Sequence, residues 1–333
     1  NQVDKIMRRF GLNGKSVVPL ISGVACAIPA IMATRNIESW KDRLITIFVT
    51  PFMSCSARLP VYAILIALVV PNRNVMGFFN LQGVVLMGMY LLGFLAAIFS
   101  ALAMKYILKA KDRSYFIMEL PIYRWPKWKN VWYTIFGKSK TFVLEAGKII
   151  LAISIILWVL ASYGPGKKFD QAEEIVKKEM QINNIADSEY EKLLSAHKLE
   201  YSYAGLLGKS IEPAIRPLGY DWKIGIALIT SFAAREVFVG TIATIYSVGA
   251  DVEDESTIKD KLRAEINPKT GKPMYSLALG VSLLIFYAFA MQCMSTLAVV
   301  YRETKTWKWP ILQLIYMSGV AYIGALIAYQ LLK

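Results

Sequence analysis

Ile47-Phe48, Met53-Ser54-Cys55 and Leu59-Pro60-Val61 form one apolar phrase, and Ile285-Phe286, Met291-Gln292-Cys293 and Leu297-Ala298-Val299 form a second. Both lie in long hydrophobic segments, and both carry a thiol where a lipid-facing helix needs none. Two matched copies of a polar, breakable element inside apolar segments predict a transporter built on an internal repeat, with its binding site between the copies.

Working outward, the composition supports a membrane setting. Hydrophobic residues make up 56% of the 333 residues, charged residues 19%, and mean hydropathy is +0.42. A helix needs roughly 20 apolar residues to cross a hydrocarbon core of about 30 Å. Runs at about 16–34, 43–70, 78–104, 141–163, 223–247, 275–300 and 309–332 approach or reach that length. The first residues, Asn1 to Lys15, are polar and basic, with no secretory signal. The chain opens without an initiator methionine, which reads as a fragment or a processed product. The expected fold is an all-α integral membrane protein, a multi-span helical bundle with two gate-type repeats that contain broken or re-entrant helices.

Charge predicts the orientation. Segment 105–148 carries ten Lys/Arg against three acids, and 167–221 carries eight against ten. The positive-inside rule places the first in the cytoplasm and the second outside. The net charge of +14 is then a topology signal, and no nucleic-acid-binding module accompanies it. Five parts follow. Residues 1–104 hold the first gate repeat and the next span. Residues 105–140 interleave Tyr115, Trp125, Trp128, Trp132 and Tyr133 with Lys and Arg, as interfacial helices at the headgroup layer do. Residues 141–163 are a span, 164–222 an external polar cap, and 223–333 the second gate repeat with a charged insertion at about 249–273. The side of that insertion stays open.

The breaks come from proline. Pro19, Gly23 and Pro29 interrupt 16–34, and Pro51 and Pro60 flank Cys55. A proline removes one backbone donor and displaces the carbonyl four residues earlier. In hydrocarbon such groups are tolerated only inside protein or beside a water-filled cavity. Cys26, Cys55 and Cys293 are the only cysteines, all in apolar segments and each at a predicted break or repeat position. Their odd number and location argue against a disulfide framework. Sulfur suits the softer transition metals, not Mg²⁺ or Ca²⁺. The single histidine, His197, falls in the polar cap, which excludes an imidazole-rich intramembrane site. Arg235 and Glu236 fall mid-segment, where isolated charge is unfavourable, and are expected to face the bundle as a gate pair. Arg58, one turn from Cys55, would repel a cation if aimed inward, so it is expected to anchor a half-helix or sit near the interface.

Ser22-Gly23-Val24-Ala25-Cys26-Ala27-Ile28-Pro29-Ala30 and Thr50-Pro51-Phe52-Met53-Ser54-Cys55-Ser56-Ala57-Arg58-Leu59-Pro60 resemble the first gate region of the FeoB ferrous iron transporters of bacteria. Ala233-Ala234-Arg235-Glu236-Val237, Gln292-Cys293-Met294-Ser295-Thr296 and Arg302-Glu303-Thr304 resemble the second. The likeness runs over about residues 10–330. It implies Fe²⁺ import across the bacterial inner membrane and matches the family's iron-path cysteines to Cys26, Cys55 and Cys293. On both grounds the expected metal ligands are Cys55 and Cys293, aided by Met53, Met291, Ser54, Ser56, Ser295 and backbone carbonyls, with Cys26 along the path. Arg235, Glu236 and Arg58 are expected to gate.

The family also carries an N-terminal GTP-binding domain, to which GTP and Mg²⁺ would belong. Here the only P-loop-like string is Gly14-Lys15-Ser16, with Arg9 where a glycine is required, so that domain is expected to be absent and the chain not to be an enzyme. Implied partners are membrane lipids and small cytosolic accessory proteins, with homo-oligomerisation open and no nucleic acid. Competing readings are a carrier of a nucleoside-like substrate and a non-transporting sensor. Breaks rich in Ser, Thr, Cys and Met argue against the first, and tandem proline breaks against the second. No paired catalytic carboxylates or Ser with a base support an intramembrane enzyme.

Overall fold

The structure is a computed structural model that describes residues 14–75, 79–108, 127–165, 171–183, 190–232, 237–245, 276–291 and 293–333, with Met7, Leu12, Trp125, Phe169 and Arg235. The expected insertion at 249–273, Glu236 and Gln292 lie outside the described residues.

Helix dominates, as the composition predicts. The first half holds α1 (Val17–Ala25), α2 (Ala27–Ala33), α3 (Trp40–Val49), α4 (Leu59–Val69) and α5 (Leu81–Ile107). A two-residue antiparallel pair, Asn74–Val75 with Phe79–Asn80, precedes α5. Next come α6 (Trp128–Ser162), α7 (Ala172–Asn183), α8 (Tyr190–Glu200) and α9 (Tyr203–Ile215). The second half holds α10 (Trp222–Thr230), α11 (Val237–Ile245), α12 (Leu277–Phe289), α13 (Met294–Thr304) and α14 (Lys308–Leu332). Side-chain caps set several starts. Ser39 accepts from the Asp42 N–H, Asp221 from Ile224 and Ser276 from Leu279, each satisfying a donor that the first helical turn leaves over.

Among the described residues, four stretches are long and apolar enough to cross a membrane: Trp40–Val69, Leu81–Ile107, Leu277–Thr304 and Lys308–Leu332, the first and third taken across their breaks. The runs 16–34 and 223–247 are instead short helices, α1–α2 and α10–α11, on either side of an interruption. The basic, aromatic residues 128–140 continue without a break into the apolar run that follows, as the single helix α6.

The chain divides into two compact units. One comprises 1–56, 90–152 and 295–314. Its core joins Ile28, Ile31, Ile47, Val299 and Val300, with Cys26, Met32 and Trp309 packed against them. The other comprises 57–89, 153–294 and 315–333. There α4 packs on α12, and Phe238 meets Tyr287 with ring centroids 4.7 Å apart. The Tyr220 and Ser282 hydroxyls lie 3.0 Å apart, and Ser282 also hydrogen-bonds the Ala325 carbonyl. In the same unit α7 packs on α8, and α8 on α11, so the polar segment is tied to the second-half gate helices.

Candidate ion path at the helix breaks

The three cysteines sit at three helix interruptions. Cys26 is the single extended residue between α1 and α2, with φ −157° and ψ 135°. Cys55 follows Met53 and Ser54 in the irregular stretch between two 3₁₀ turns, Thr50–Phe52 and Ser56–Arg58, that separate α3 from α4. Cys293 ends the interruption between α12 and α13. None of the three is in a disulfide, and all are of intermediate burial.

Each interruption leaves backbone groups to be satisfied. In the first half Pro29 has no N–H for the Ala25 carbonyl. The Ser56 hydroxyl donates to that carbonyl at 3.0 Å, which brings the Cys26 and Cys55 breaks together. In the second half a continued helix would pair the Met294 N–H with the Ala290 carbonyl. Instead the Met294 N–H donates to the Phe232 carbonyl at 3.1 Å, and the Ala290 carbonyl accepts from Arg235 Nη2 at 3.2 Å. Ser56 thus bonds through its side chain to the end of α1, and Met294 through its backbone N–H to Phe232, two residues past the end of α10.

At the Cys55 break two glycines face the chain closely. A Cβ on Gly23 of α1 would lie 3.2 Å from Thr50 Cγ2 and 3.6 Å from Met53 Cβ. A Cβ on Gly93 of α5 would lie 2.8 Å from Ser54 Oγ and 3.1 Å from the Phe52 carbonyl oxygen. Two helices thus press on the Met53–Cys55 stretch through bare backbone.

The other expected ligands vary in accessibility. Met53 is half-buried and Ser56 exposed, whereas Ser54, Met291 and Ser295 are buried. Ser56 spends its proton on Ala25, which leaves only its oxygen lone pairs for an ion. Arg58 is 1% exposed and Arg235 6%, so both expected gating arginines are interior residues. Among the described residues, no three His, Cys, Asp or Glu gather as a metal cluster. At the first-half breaks the donors are the Cys26 and Cys55 sulfurs, the Met53 thioether, hydroxyls and carbonyls, and sulfur suits the softer transition metals.

Sequence reasoning missed the role of Glu303. Its buried carboxylate accepts from Arg35 Nε at 3.0 Å, from Arg35 Nη2 and from Arg43 Nη2. The three residues stand after α2, in the first turns of α3 and near the end of α13. One carboxylate thus ties the helix that leaves Cys26, the helix that leads to Cys55 and the helix that follows Cys293. Glu303 lies in the Arg302-Glu303-Thr304 motif, but nothing in the sequence signals its pairing with Arg35 across 268 positions. Lys15 and Ser16 of the P-loop-like string are engaged elsewhere: Lys15 bonds Glu38 at 2.7 Å and Ser16 meets Thr46 at 2.9 Å. The Lys15 hydrogen bond holds the Glu38 carboxyl below its ordinary pKa. His197 is half-buried, with its ring centroid 4.8 Å from that of Tyr201.

Comparison with known proteins gives the same regions a family context. The gate family, described as nucleoside recognition, matches residues 1–69 and 143–307. The family described as ferrous iron transport protein B C terminus matches 86–138. A Leptospira interrogans protein named Fe(2+) transporter FeoB is 45% identical over 98% of this chain and 44% of its own length. A Leptospira biflexa protein of the same name is 42% identical over 99% of this chain and 45% of its own length. A Porphyromonas gingivalis protein named Fe(2+) transport protein A/Fe(2+) transporter FeoB fusion protein is 36% identical, over 99% and 39%. The chain therefore spans less than half the length of these relatives. No solved structure matches it.

Proposed function

Because the chain belongs to the FeoB ferrous iron transporter family, as its gate-bearing membrane region, we propose that it forms the path by which Fe²⁺ crosses the bacterial inner membrane. The observation that carries this reading is the placement of all three thiols at helix interruptions. Fe²⁺ enters from outside, sheds part of its water and exchanges it for sulfur and oxygen at the breaks. Cys55 and Cys293 are the principal ligands, with Met53, Met291, Ser54, Ser56, Ser295 and carbonyl oxygens as auxiliaries, and Cys26 along the path. Neutral thiols and hydroxyls hold the ion weakly enough to release it, which conduction requires. Arg235 gates by holding the second break, with Glu236 beside it in the chain, and Arg58 anchors the start of α4.

Control by GTP, with Mg²⁺, through a domain of the full-length protein is what the family resemblance of the gate motifs implies. The fusion protein from Porphyromonas gingivalis supports a small accessory partner. The gate family's description concerns nucleosides, yet relatives aligned along nearly the whole chain are named for Fe²⁺, and the breaks offer soft donors rather than amides.

The test is anaerobic Fe²⁺ uptake into liposomes holding the purified full-length protein. Cys55→Ser and Cys293→Ser, folded as judged by size-exclusion and melting, are expected to lose uptake. Full uptake by both variants would rule out sulfur ligation on the path.

A further inference from the structure

Gln313 on α14 is fully buried, within a largely apolar, membrane-length helix. Its Nε2 donates to the Ile47 carbonyl at 3.2 Å. Four residues after Ile47 stands Pro51, which has no N–H with which to close the helical bond to that carbonyl. The same faces touch one turn away, where Trp309 meets Phe48 edge-on with centroids 5.9 Å apart.

The amide's orientation follows from chemistry, because a flip would set Oε1 against the Ile47 carbonyl oxygen. Oε1 is left enclosed without a partner among the described residues. A half-satisfied buried amide is unfavourable for stability, and an apolar residue of similar size would avoid it. Stability of α14 alone therefore does not account for glutamine here. The Ile47 carbonyl does.

We infer that Gln313 is a positioning residue for the break that carries Cys55: it supplies the Ile47 carbonyl with the donor that Pro51 cannot. Without it, that carbonyl would seek a neighbouring N–H and rewind the end of α3 toward Met53 and Cys55. The structural part stands on the hydrogen bond. Its effect on transport rests on the reading that Cys55 lies on the ion path.

A double-mutant cycle in the full-length protein tests it. Pro51→Ala returns an N–H at position 51 that can reach Ile47, so Gln313 becomes dispensable there. Maleimide alkylation of the peptide containing Cys55 is followed by mass spectrometry in wild type, Gln313→Leu, Pro51→Ala and the double variant, with Gln313→Met as a substitute if Gln313→Leu fails to fold. Gln313→Leu is expected to change the Cys55 rate severalfold and raise the apparent KM for Fe²⁺ uptake more than it lowers the maximal rate. In the Pro51→Ala background it is expected to change neither. An equal effect in both backgrounds, or no change in Cys55 reactivity, overturns the inference. A Cys55 response with transport-competent Cys55→Ser would sink the ion-path reading and the transport role of Gln313, while the capping of Ile47 stands.

Discussion

The Arg235 guanidinium donates to the Ala290 carbonyl, the group that a continued helix would have paired with Met294. A buried cation thus stabilises the interruption before Cys293, and the Met294 N–H so released binds Phe232. Arg235 is 6% exposed, so the carbonyl has no ready water substitute.

Arg235→Met should destabilise the second break by about 1.5–3 kcal/mol, the usual range for a hydrogen bond to a charged group. The readouts are melting in detergent and the alkylation rate of Cys293, which should rise or fall together with stability. Unchanged melting and unchanged Cys293 reactivity would show that the hydrogen bond carries no weight.

Glu303→Gln should do more damage than Arg35→Gln. Removing the carboxylate leaves two guanidinium groups facing each other, whereas removing Arg35, which is about half exposed, leaves Arg43 still paired. Loss of a buried partner carries a penalty of about 3–5 kcal/mol, and the partial exposure of both arginines lowers that range. Comparative melting of the two variants, with uptake beside it, checks the order.

Gly93→Ala should impair uptake while leaving expression intact. The added methyl would stand 2.8 Å from Ser54 Oγ, so either the hydroxyl rotates or α5 withdraws from the Met53–Cys55 stretch. Gly88→Ala on the same helix has nothing within 4 Å and serves as the control. Equal uptake in both would mean the contact is slack.

Ser56→Ala should separate two roles. It removes the donor to the Ala25 carbonyl, at about 1–3 kcal/mol if that carbonyl stays unsatisfied and less if water replaces the exposed hydroxyl. Ser56→Cys retains a weak donor and a soft ligand. Recovery of uptake in Ser56→Cys with low stability would assign Ser56 to ligation; recovery of stability alone would assign it to the break.

The breaks were legible because their causes are local. Pro29 and Pro51 remove donors at fixed offsets, and the cysteines beside them mark the positions where α1–α2 and α3–α4 part. Arg235 was also legible as an interior charge, since a lone arginine mid-segment has few acceptable places. Its partner was not: a backbone carbonyl carries no residue-specific signal. The Glu303 cluster and Gln313 lie 260 to 268 positions from their partners, and no periodicity connects residues so distant. Position 128 as the start of α6 was hidden for another reason: a basic, aromatic surface suits an interfacial helix and the projecting end of a longer one equally.

Iron K-edge X-ray absorption on the anaerobic, Fe²⁺-loaded full-length protein tests the central claim most directly. Sulfur is expected in the first coordination shell of the wild type, and less of it in both Cys55→Ser and Cys293→Ser. A first shell of oxygen and nitrogen alone in the wild type would contradict it and leave the carbonyls and hydroxyls of the same breaks as the ligands.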